Sequence, residues 1–275
     1  MNKLVSLVIT TRNEEKVLGK LLQSIKKQTY KNIETILVDN DSTDDTLKIA
    51  KKMRVKIFNA GPERSAQRNY GVKIARGEYV LILDADMELT RNVVKACVEL
   101  MQKDNRVGAL VIPEQSIAKT FWEKVKAYER SFYNLEGDTL TDAARFFKKE
   151  FFLKIGGYDE TITGPEDWDL PDTVKKLGHK IDRISAKIYH YERIDSLFKL
   201  ARKKFYYALR AHRYLSKQKI SFIGPKTIYF LRPVFYKSWK KIAFNPILSL
   251  ALMYMLAIEL IAGGLGYFWG RIRKL

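Results

Sequence analysis

Residues 79–86 read Tyr79-Val80-Leu81-Ile82-Leu83-Asp84-Ala85-Asp86. An apolar run that ends at once in two acids, one residue apart, describes a strand buried on both faces and finishing in a polar mouth. Carboxylates at i and i+2 on such an end can reach one hard cation. Mg2+ or Mn2+ held there bridges to phosphate oxygens and neutralises charge on a leaving diphosphate. An acidic turn after a strand has the same three letters, so the surrounding sequence decides.

Toward the N-terminus the same alternation repeats. Residues 5–9, Val-Ser-Leu-Val-Ile, read as a first strand, and Val17, Leu18, Leu21, Leu22 and Ile25 follow with helical period. Residues 34–38 form a second strand that ends at Asp39. Ser42 and Asp45 mark a helix start, continued by Leu47, Ala50 and Met53. Residues 55–58 are a third strand and residues 64–75 a helix. This succession is that of βαβ units: an α/β fold whose sheet is mainly parallel. In such sheets ligands sit beyond the carboxyl ends of the strands, where Asp39, Asp84 and Asp86 all fall. Arg68, on the helix before the fourth strand, offers a guanidinium that can grip a diphosphate through two bonds.

Toward the C-terminus the composition changes. Residues 195–218 read as a basic amphipathic helix. Phe198, Ala201, Phe205, Tyr206 and Leu209 make its apolar stripe; Lys199, Arg202, Lys203, Arg210 and Arg213 crowd the rest. Lys203 and Tyr206 are candidates to meet a phosphorylated lipid acceptor. Residues 222–236 are apolar but broken by Pro225 and Pro233, too short to span a bilayer, and read as interfacial. Residues 242–270 carry no charge except Glu259. Their length fits a membrane-spanning helix, a re-entrant hairpin near Gly263-Gly264, or a buried core helix. Tyr229, Tyr236, Trp239, Tyr267 and Trp269 flank the segment as interfacial anchors. Lys237, Lys240 and Lys241 precede it, and Arg271, Arg273 and Lys274 follow, so charge does not choose an orientation. The organisation expected is a catalytic domain over 1–194, an interfacial segment over 195–241 and a membrane segment over 242–275.

Lys and Arg number 50 against 31 Asp and Glu, a formal charge of +19, which calls for an anionic partner. Many of these bases flank the apolar tail instead of striping the α/β part, which argues for a membrane and a nucleotide and against nucleic acid. Cys97, the one cysteine, lies in an apolar-periodic stretch and reads as core, and no Cys/His pair has zinc spacing. His179 and His212 read as surface. Residues 1–7 resemble a short strand more than a signal peptide, so the catalytic part is expected in the cytosol, at the cell membrane.

Six ordered segments resemble the motifs of family 2 glycosyltransferases. They are Leu7-Val8-Ile9-Thr10-Thr11-Arg12-Asn13-Glu14-Glu15, Val38-Asp39-Asn40-Asp41-Ser42-Thr43-Asp44, Ala66-Gln67-Arg68-Asn69-Tyr70-Gly71, Leu83-Asp84-Ala85-Asp86, Gly156-Gly157-Tyr158-Asp159-Glu160 and Gly164-Pro165-Glu166-Asp167-Trp168-Asp169-Leu170. The resemblance covers about residues 4–192. It implies a GT-A (Rossmann-like) nucleotide-sugar-binding domain and inversion at the anomeric carbon, with a UDP- or GDP-sugar as donor and Mn2+ or Mg2+ as cofactor. By position, Thr10, Thr11, Glu14 and Asp39 would meet the base and ribose, and Arg68 the diphosphate. Asp84 and Asp86 would form the metal and ribose site, with His190 a further metal ligand. Arg145 would contact acceptor or diphosphate. Asp167, with Glu166 beside it, would be the general base that takes the acceptor's proton. As a bare sequence that pair is also what a helix N-terminus favours. The processive members' Gln-x-x-Arg-Trp motif is missing, which implies a single transfer, to a lipid-linked acceptor.

Two rivals share these residues. One is a catalytically inactive membrane scaffold. The other is a haloacid dehalogenase-type phosphatase, whose Asp-x-Asp also follows a strand, but which wants Thr or Val where this chain has Glu88.

Overall fold

The computed structural model describes residues 2–273; Lys274, one of the expected flanking bases, lies outside them. In chain order the elements are β1 (Val5–Thr11), α1 (Leu18–Lys26), β2 (Ile33–Asp39), α2 (Thr46–Lys52), β3 (Lys56–Asn59), α3 (Arg64–Ile74), β4 (Tyr79–Asp84), β5 (Met87–Leu89), α4 (Val93–Lys103), β6 (Val107–Val111) and β7 (Glu114–Ile117). There follow α5 (Phe121–Arg130), β8 (Ala144–Lys148), α6 (Lys149–Lys154), α7 (Glu166–Lys176), β9 (Lys180–Arg183), β10 (Ile188–Tyr191), α8 (Leu197–Ala208), α9 (Ala211–Gln218), α10 (Pro233–Lys237), α11 (Trp239–Ala243) and α12 (Pro246–Ile272). They form two compact units. The first holds the chain up to 114 with 143–160 and 170–190; the second holds 115–142, 161–169 and the chain from 191 on. The boundary expected at 194 is therefore not a single cut, because α5 belongs with the C-terminal helices whose apolar faces it covers.

In the first unit a seven-stranded sheet has the order β3-β2-β1-β4-β8-β6-β9. The β1, β2, β3 and β4 pairings are parallel, and β8 runs antiparallel between β4 and β6. Every residue of β1 is buried, as a central strand covered on both faces requires. Side chains alternate: Leu7, Ile9, Leu81 and Leu83 join α1 and α4 in one apolar cluster, with Cys97 in its interior. Val8, Val80 and Ile82 join residues of α3, α6 and α7 in another. The four strands expected from residues 5–83 are all present. Register sets the site: Thr11 pairs with Asp39, and Thr10 with Asp84, so these residues end level at the carboxyl edge, the first pair on one face of the sheet and the second on the other. Helix α3 packs on this sheet through Gly71, where an added Cβ would overlap Val8 and crowd Val38. That close approach brings the start of α3 down onto the strand ends.

The second unit is helical. α5, α8, α10 and α12 share an apolar cluster containing Val125, Tyr128, Leu200, Phe235 and Met255. The single helix expected over 195–218 is two, α8 and α9, broken at Leu209-Arg210. Its expected stripe is also rotated: Phe198 is 72% exposed whereas Leu200 is buried, because α8 turns the face around Leu200 and Lys204 inward. Residues 222–236 do not lie wholly at a surface, since Phe235 enters the cluster. His212, expected at the surface, has its Nδ1 buried and its ring near Tyr267.

Helix α12 is long and apolar enough to cross a membrane. It runs unbroken through Gly263-Gly264, where the sequence left room for a hairpin. Its inner face is fitted to its neighbours: at Gly266 and Gly270 an added Cβ would overlap the carbonyls of Phe205 on α8 and of Leu209 just past its end. Glu259 is buried between Lys126 of α5 and Lys204 of α8, 3.0 Å from each ammonium, and Lys126 also meets Glu129. The charge that looked costly in lipid is thus neutralised by protein. The opposite face exposes Ile247, Leu250, Tyr254, Ile261, Leu265 and Phe268 at helical spacing.

Candidate active site

The site of the first unit is built from strand ends. The Thr11 hydroxyl donates to Asp39 at 2.7 Å, and the Ser42 amide and hydroxyl donate to the same carboxylate at 2.7 and 2.6 Å. The loops after β1 and β2 are stapled together: the Asn13 and Glu14 amides donate to the Ser42 and Thr46 hydroxyls, and the Thr43 amide donates to the Asn13 side chain. Gln67 of α3 closes the same edge by donating to the Thr11 and Val38 carbonyls at 3.0 and 2.8 Å. These bonds make a rigid rim, with Asp39 oriented inside it.

Arg68, one residue further along α3, is fully buried. Its Nη2 donates to Asp84 Oδ1 at 2.8 Å, and its guanidinium lies 4.9 Å from the centre of the Tyr158 ring. Asn69 fixes that ring by donating to the Tyr158 carbonyl and accepting from the Tyr158 amide. The motif around residue 68 and the one around 158 are thus two halves of one structure.

From Asp84 a chain of alternating charge runs across the sheet. Arg145 on β8 reaches Asp84 Oδ2 at 3.3 Å and Glu114 Oε1 at 2.8 Å. Glu114 Oε2 lies 2.9 Å from His190 Nδ1, and His190 Nε2 stands 3.5 Å from Asp86 Oδ1. β10 pairs with β5 in antiparallel register, His190 opposite Met87, which brings the imidazole to the Asp-Ala-Asp turn. Burial alone would push the Asp84 carboxyl up; Arg68 and Arg145, with Arg64 beyond them, hold it well below the usual carboxylate range.

Glu114 is the member that sequence reasoning missed. It is an acid after an apolar strand, as Asp39 and Asp84 are, and that position was the available signal. Thr10, Thr11, Asp39, Arg68, Asp84, Asp86, Arg145 and His190 all lie in the first unit, at or beside the strand ends. Glu14 holds the rim through its backbone at the entry to α1, with its carbonyl accepting from Leu18. Glu166, Asp167, Lys203 and Tyr206 belong to the second unit. Glu166 and Asp167 open α7, Glu166 buried. Lys203 and Tyr206 are on the exposed side of α8, while their neighbours Lys204 and Tyr207 line a pocket. On a helix one residue is about 100° of rotation, enough to exchange the faces.

The expected metal set was Asp84, Asp86 and His190. Among the described residues no three His, Cys, Asp or Glu side chains stand together in metal-holding geometry. The reason is that Asp84 turns its two oxygens to Arg68 and Arg145. Asp86 and His190 remain as a facing pair, and their chemistry fits a divalent ion. With Nδ1–H given to Glu114, a neutral His190 presents its Nε2 lone pair to a carboxylate. Two acceptors so placed want a cation between them.

The comparisons agree with this geometry. The model of Glycosyl transferase family 2 matches residues 6–155. A glycosyltransferase of Methanocaldococcus jannaschii, MJ1057, is 31% identical over 256 residues, covering 85% of this chain and 86% of that one. The Campylobacter jejuni GalNAc(5)-diNAcBac-PP-undecaprenol beta-1,3-glucosyltransferase is 29% identical over 234 residues, 78% of this chain and 73% of that one. Other curated relatives are spanned over only 36% and 35% of their own length. Among solved structures, the mannosyltransferase PcManGT from Pyrobaculum calidifontis, in complex with GDP-Man and Mn2+, superposes with a TM-score of 0.64. It is 18% identical, over 97% of this chain and 87% of that one, and shares the fold. With its parallel-rich sheet, its Asp-Ala-Asp turn and these matches, the chain belongs to glycosyl transferase family 2, with a GT-A fold.

Proposed function

We propose that this glycosyltransferase moves a sugar from a UDP- or GDP-sugar to a lipid-linked acceptor, with inversion, aided by Mn2+ or Mg2+, at the cytosolic face of the cell membrane. The observation that carries the reading is the Asp86–His190 pair, oriented by Glu114 and set beside the arginine-held Asp84. The cation, when bound there, neutralises charge on the departing diphosphate. Arg68 and Arg145 supply fixed positive charge beside it, already desolvated and needing no reorganisation. Asp39, inside its rim of Thr11 and Ser42, orients the base and ribose with Thr10 and Glu14. Asp167 accepts the proton of the attacking hydroxyl as the new bond to the anomeric carbon forms and the bond to the diphosphate breaks. Glu166 supports it at the start of α7.

Membrane attachment rests on α12. Its outward apolar face is bracketed by Tyr236 and Trp239 on one side and Trp269 on the other, all at least half-exposed. A C. jejuni relative named for a PP-undecaprenol substrate, and a structural neighbour crystallised with GDP-Man and Mn2+, support the acceptor class and the cation.

The test is release of nucleoside diphosphate by detergent-extracted protein supplied with Mn2+, a panel of UDP- and GDP-sugars and membrane lipid extract. Metal-dependent release from at least one donor is expected, with transfer lost in Asp86→Ala and Asp167→Asn. A well-folded protein that releases nothing from any donor overturns the reading in favour of an inactive scaffold.

A further inference from the structure

The second unit holds a half-open pocket of about 370 Å³ that the chemistry above does not use. Its walls are α12, α8, α9, the segment 222–230 and the turn Gly164-Pro165 with Trp168, which bracket Asp167 in the chain. The lining is dominated by hydrocarbon and aromatic rings, among them Trp168, Tyr207, Phe222, Tyr229 and Tyr267. Two ammonium groups break it, Lys204 and Lys226. A pocket of this size and lining suits an apolar ligand oriented by a few polar contacts.

The electrostatics say which polar group is wanted. Glu259 also lines the wall, but its two oxygens are turned to Lys126 and Lys204, 3.0 Å from each. Lys226 lies 3.1 Å from the Tyr214 hydroxyl. Behind the Trp168 and Tyr229 rings sits Arg232, 2% exposed, its guanidinium 3.9 Å from the centre of Tyr229 and 5.5 Å from that of Trp168. Arg232 makes no ion pair among the described residues, and its Nη2 has no hydrogen-bond partner. The ammonium groups of Lys204 and Lys226 in the wall, with Arg232 behind two of its rings, thus set N–H donors around an apolar hollow, and an anion with a hydrocarbon body suits both.

Space is reserved for that body. A Cβ built on Gly263 or Gly264 of α12 meets nothing within 4 Å, whereas at Gly266 and Gly270, a turn further along, it would strike α8. The first two glycines are therefore not needed for helix packing. Each costs about 1 kcal/mol of helix stability relative to alanine, and what they leave is cavity.

We infer that this cavity binds the first stretch of hydrocarbon chain and the adjoining phosphate of the lipid-linked acceptor, the phosphate lying against Lys226 and Lys204. This rests on the reading of the chain as a transferase to lipid-linked acceptors and names where that acceptor is held. Leu260 of α12 lines the pocket and is itself exposed, which gives such a chain an entry from the bilayer, and Asp167 lies in the chain between the lining residues Pro165 and Trp168.

The test uses a diazirine-bearing farnesyl phosphate as a photo-crosslinking probe on the full-length protein in nanodiscs. Labelling is mapped by mass spectrometry and competed with farnesyl phosphate, farnesol or inorganic phosphate. Labels are expected on residues 222–230 and 256–267. Farnesyl phosphate should compete at least tenfold better than farnesol, and inorganic phosphate should not compete. Each methylene removed from the chain should weaken competition about fourfold while it is buried. Gly264→Leu, which fills the hole, should retain helix content and melting temperature yet lose the labels. Lys226→Gln should fold and bring farnesyl phosphate and farnesol closer together. Labels spread along the outward face of α12 and insensitive to both variants would mean simple partition into lipid and overturn the assignment. Competition by inorganic phosphate equal to that of the lipid would also overturn it, leaving an anion site. If labelling behaves as expected but no acceptor receives sugar, the transfer reading fails and the pocket stands; transfer to lipid indifferent to both variants sinks the pocket alone.

Discussion

Glu114→Gln is the sharpest probe of the charge chain. The side chain keeps its shape and loses one thing, the ability to accept from two N–H donors at once. At present Oε1 accepts from Arg145 at 2.8 Å and Oε2 from His190 Nδ1 at 2.9 Å. In glutamine one of these positions becomes an NH2 and faces another N–H. A hydrogen bond to a charged group contributes about 1.5–3 kcal/mol, so the loss of one should destabilise the first unit by about 2 kcal/mol. The second consequence is specific to function. Without a carboxylate on Nδ1, His190 is free to change tautomer, and its Nε2 is no longer held toward Asp86. Removal of such an outer partner typically costs about 10–100-fold in metal affinity, or about 1.4–2.7 kcal/mol. The assay is Mn2+ titration of nucleoside diphosphate release, together with calorimetric Mn2+ binding to the folded variant in the presence of nucleoside diphosphate. The half-saturating Mn2+ concentration should rise at least tenfold. A variant that loses the stability but keeps its Mn2+ half-saturation within twofold would refute the reasoning, because Glu114 would then be a structural partner of Arg145 and nothing more.

Acid should weaken the first unit partly through Glu34. Burial by itself would raise this carboxyl, but Ser6, the Arg76 amide, Lys56 and the Arg76 side chain hold it down to about 2 from 4.5. A folded pKa below the unfolded one gives stability that is full above pH 4.5 and lost as pH falls toward about 2. The gap is worth on the order of 3 kcal/mol as an upper bound, since Lys56 and Arg76 are screened by solvent. Urea midpoints of the parent and Glu34→Gln should therefore converge between pH 5 and 3, and parallel curves would contradict the assignment. In the second unit, Lys126→Met strands Glu129 and Glu259 with too little positive charge. It should cost about 3–5 kcal/mol, with part recovered in the double variant Lys126→Met/Glu259→Gln; equal melting temperatures for parent and single variant would count against it. Gly270→Val should lift α12 from α8 and open the chain near Leu209 to proteolysis, while Gly264→Ala should raise stability by up to about 1 kcal/mol. Identical digestion of the two variants would mean the helices do not pack this closely.

The parts of the fold read correctly from sequence are those with local causes. The strands of residues 5–83 are apolar runs between helical patterns, and their order forces a parallel sheet with acids at its carboxyl edge. Cys97 as core follows from the same periodicity. Membership of the transferase family replaces the phosphatase reading of Asp84-Ala85-Asp86. The places where reading failed are equally physical. Phe198 looked buried because an amphipathic stripe has two possible rotations when the helix has several neighbours. A hairpin at Gly263-Gly264 was open because glycine signals both a break and an empty space, and only the cavity beside α12 tells which.

What the sequence determined alone was the set of acids and bases and their positions at strand ends, because a one-dimensional pattern of period two or 3.6 already says which end of which element a residue occupies. Which of those charges meet was decided only by the fold. Asp84 is claimed by Arg68 and Arg145, which leaves Asp86 to face His190 across 3.5 Å. Glu114 enters the site from a strand end that no motif marked, and Glu259, costly by every local rule, is made neutral by Lys126 and Lys204 from distant helices. Electrostatic pairing depends on distance in space, and residues 16 to 133 positions apart acquire that distance only when the chain is packed.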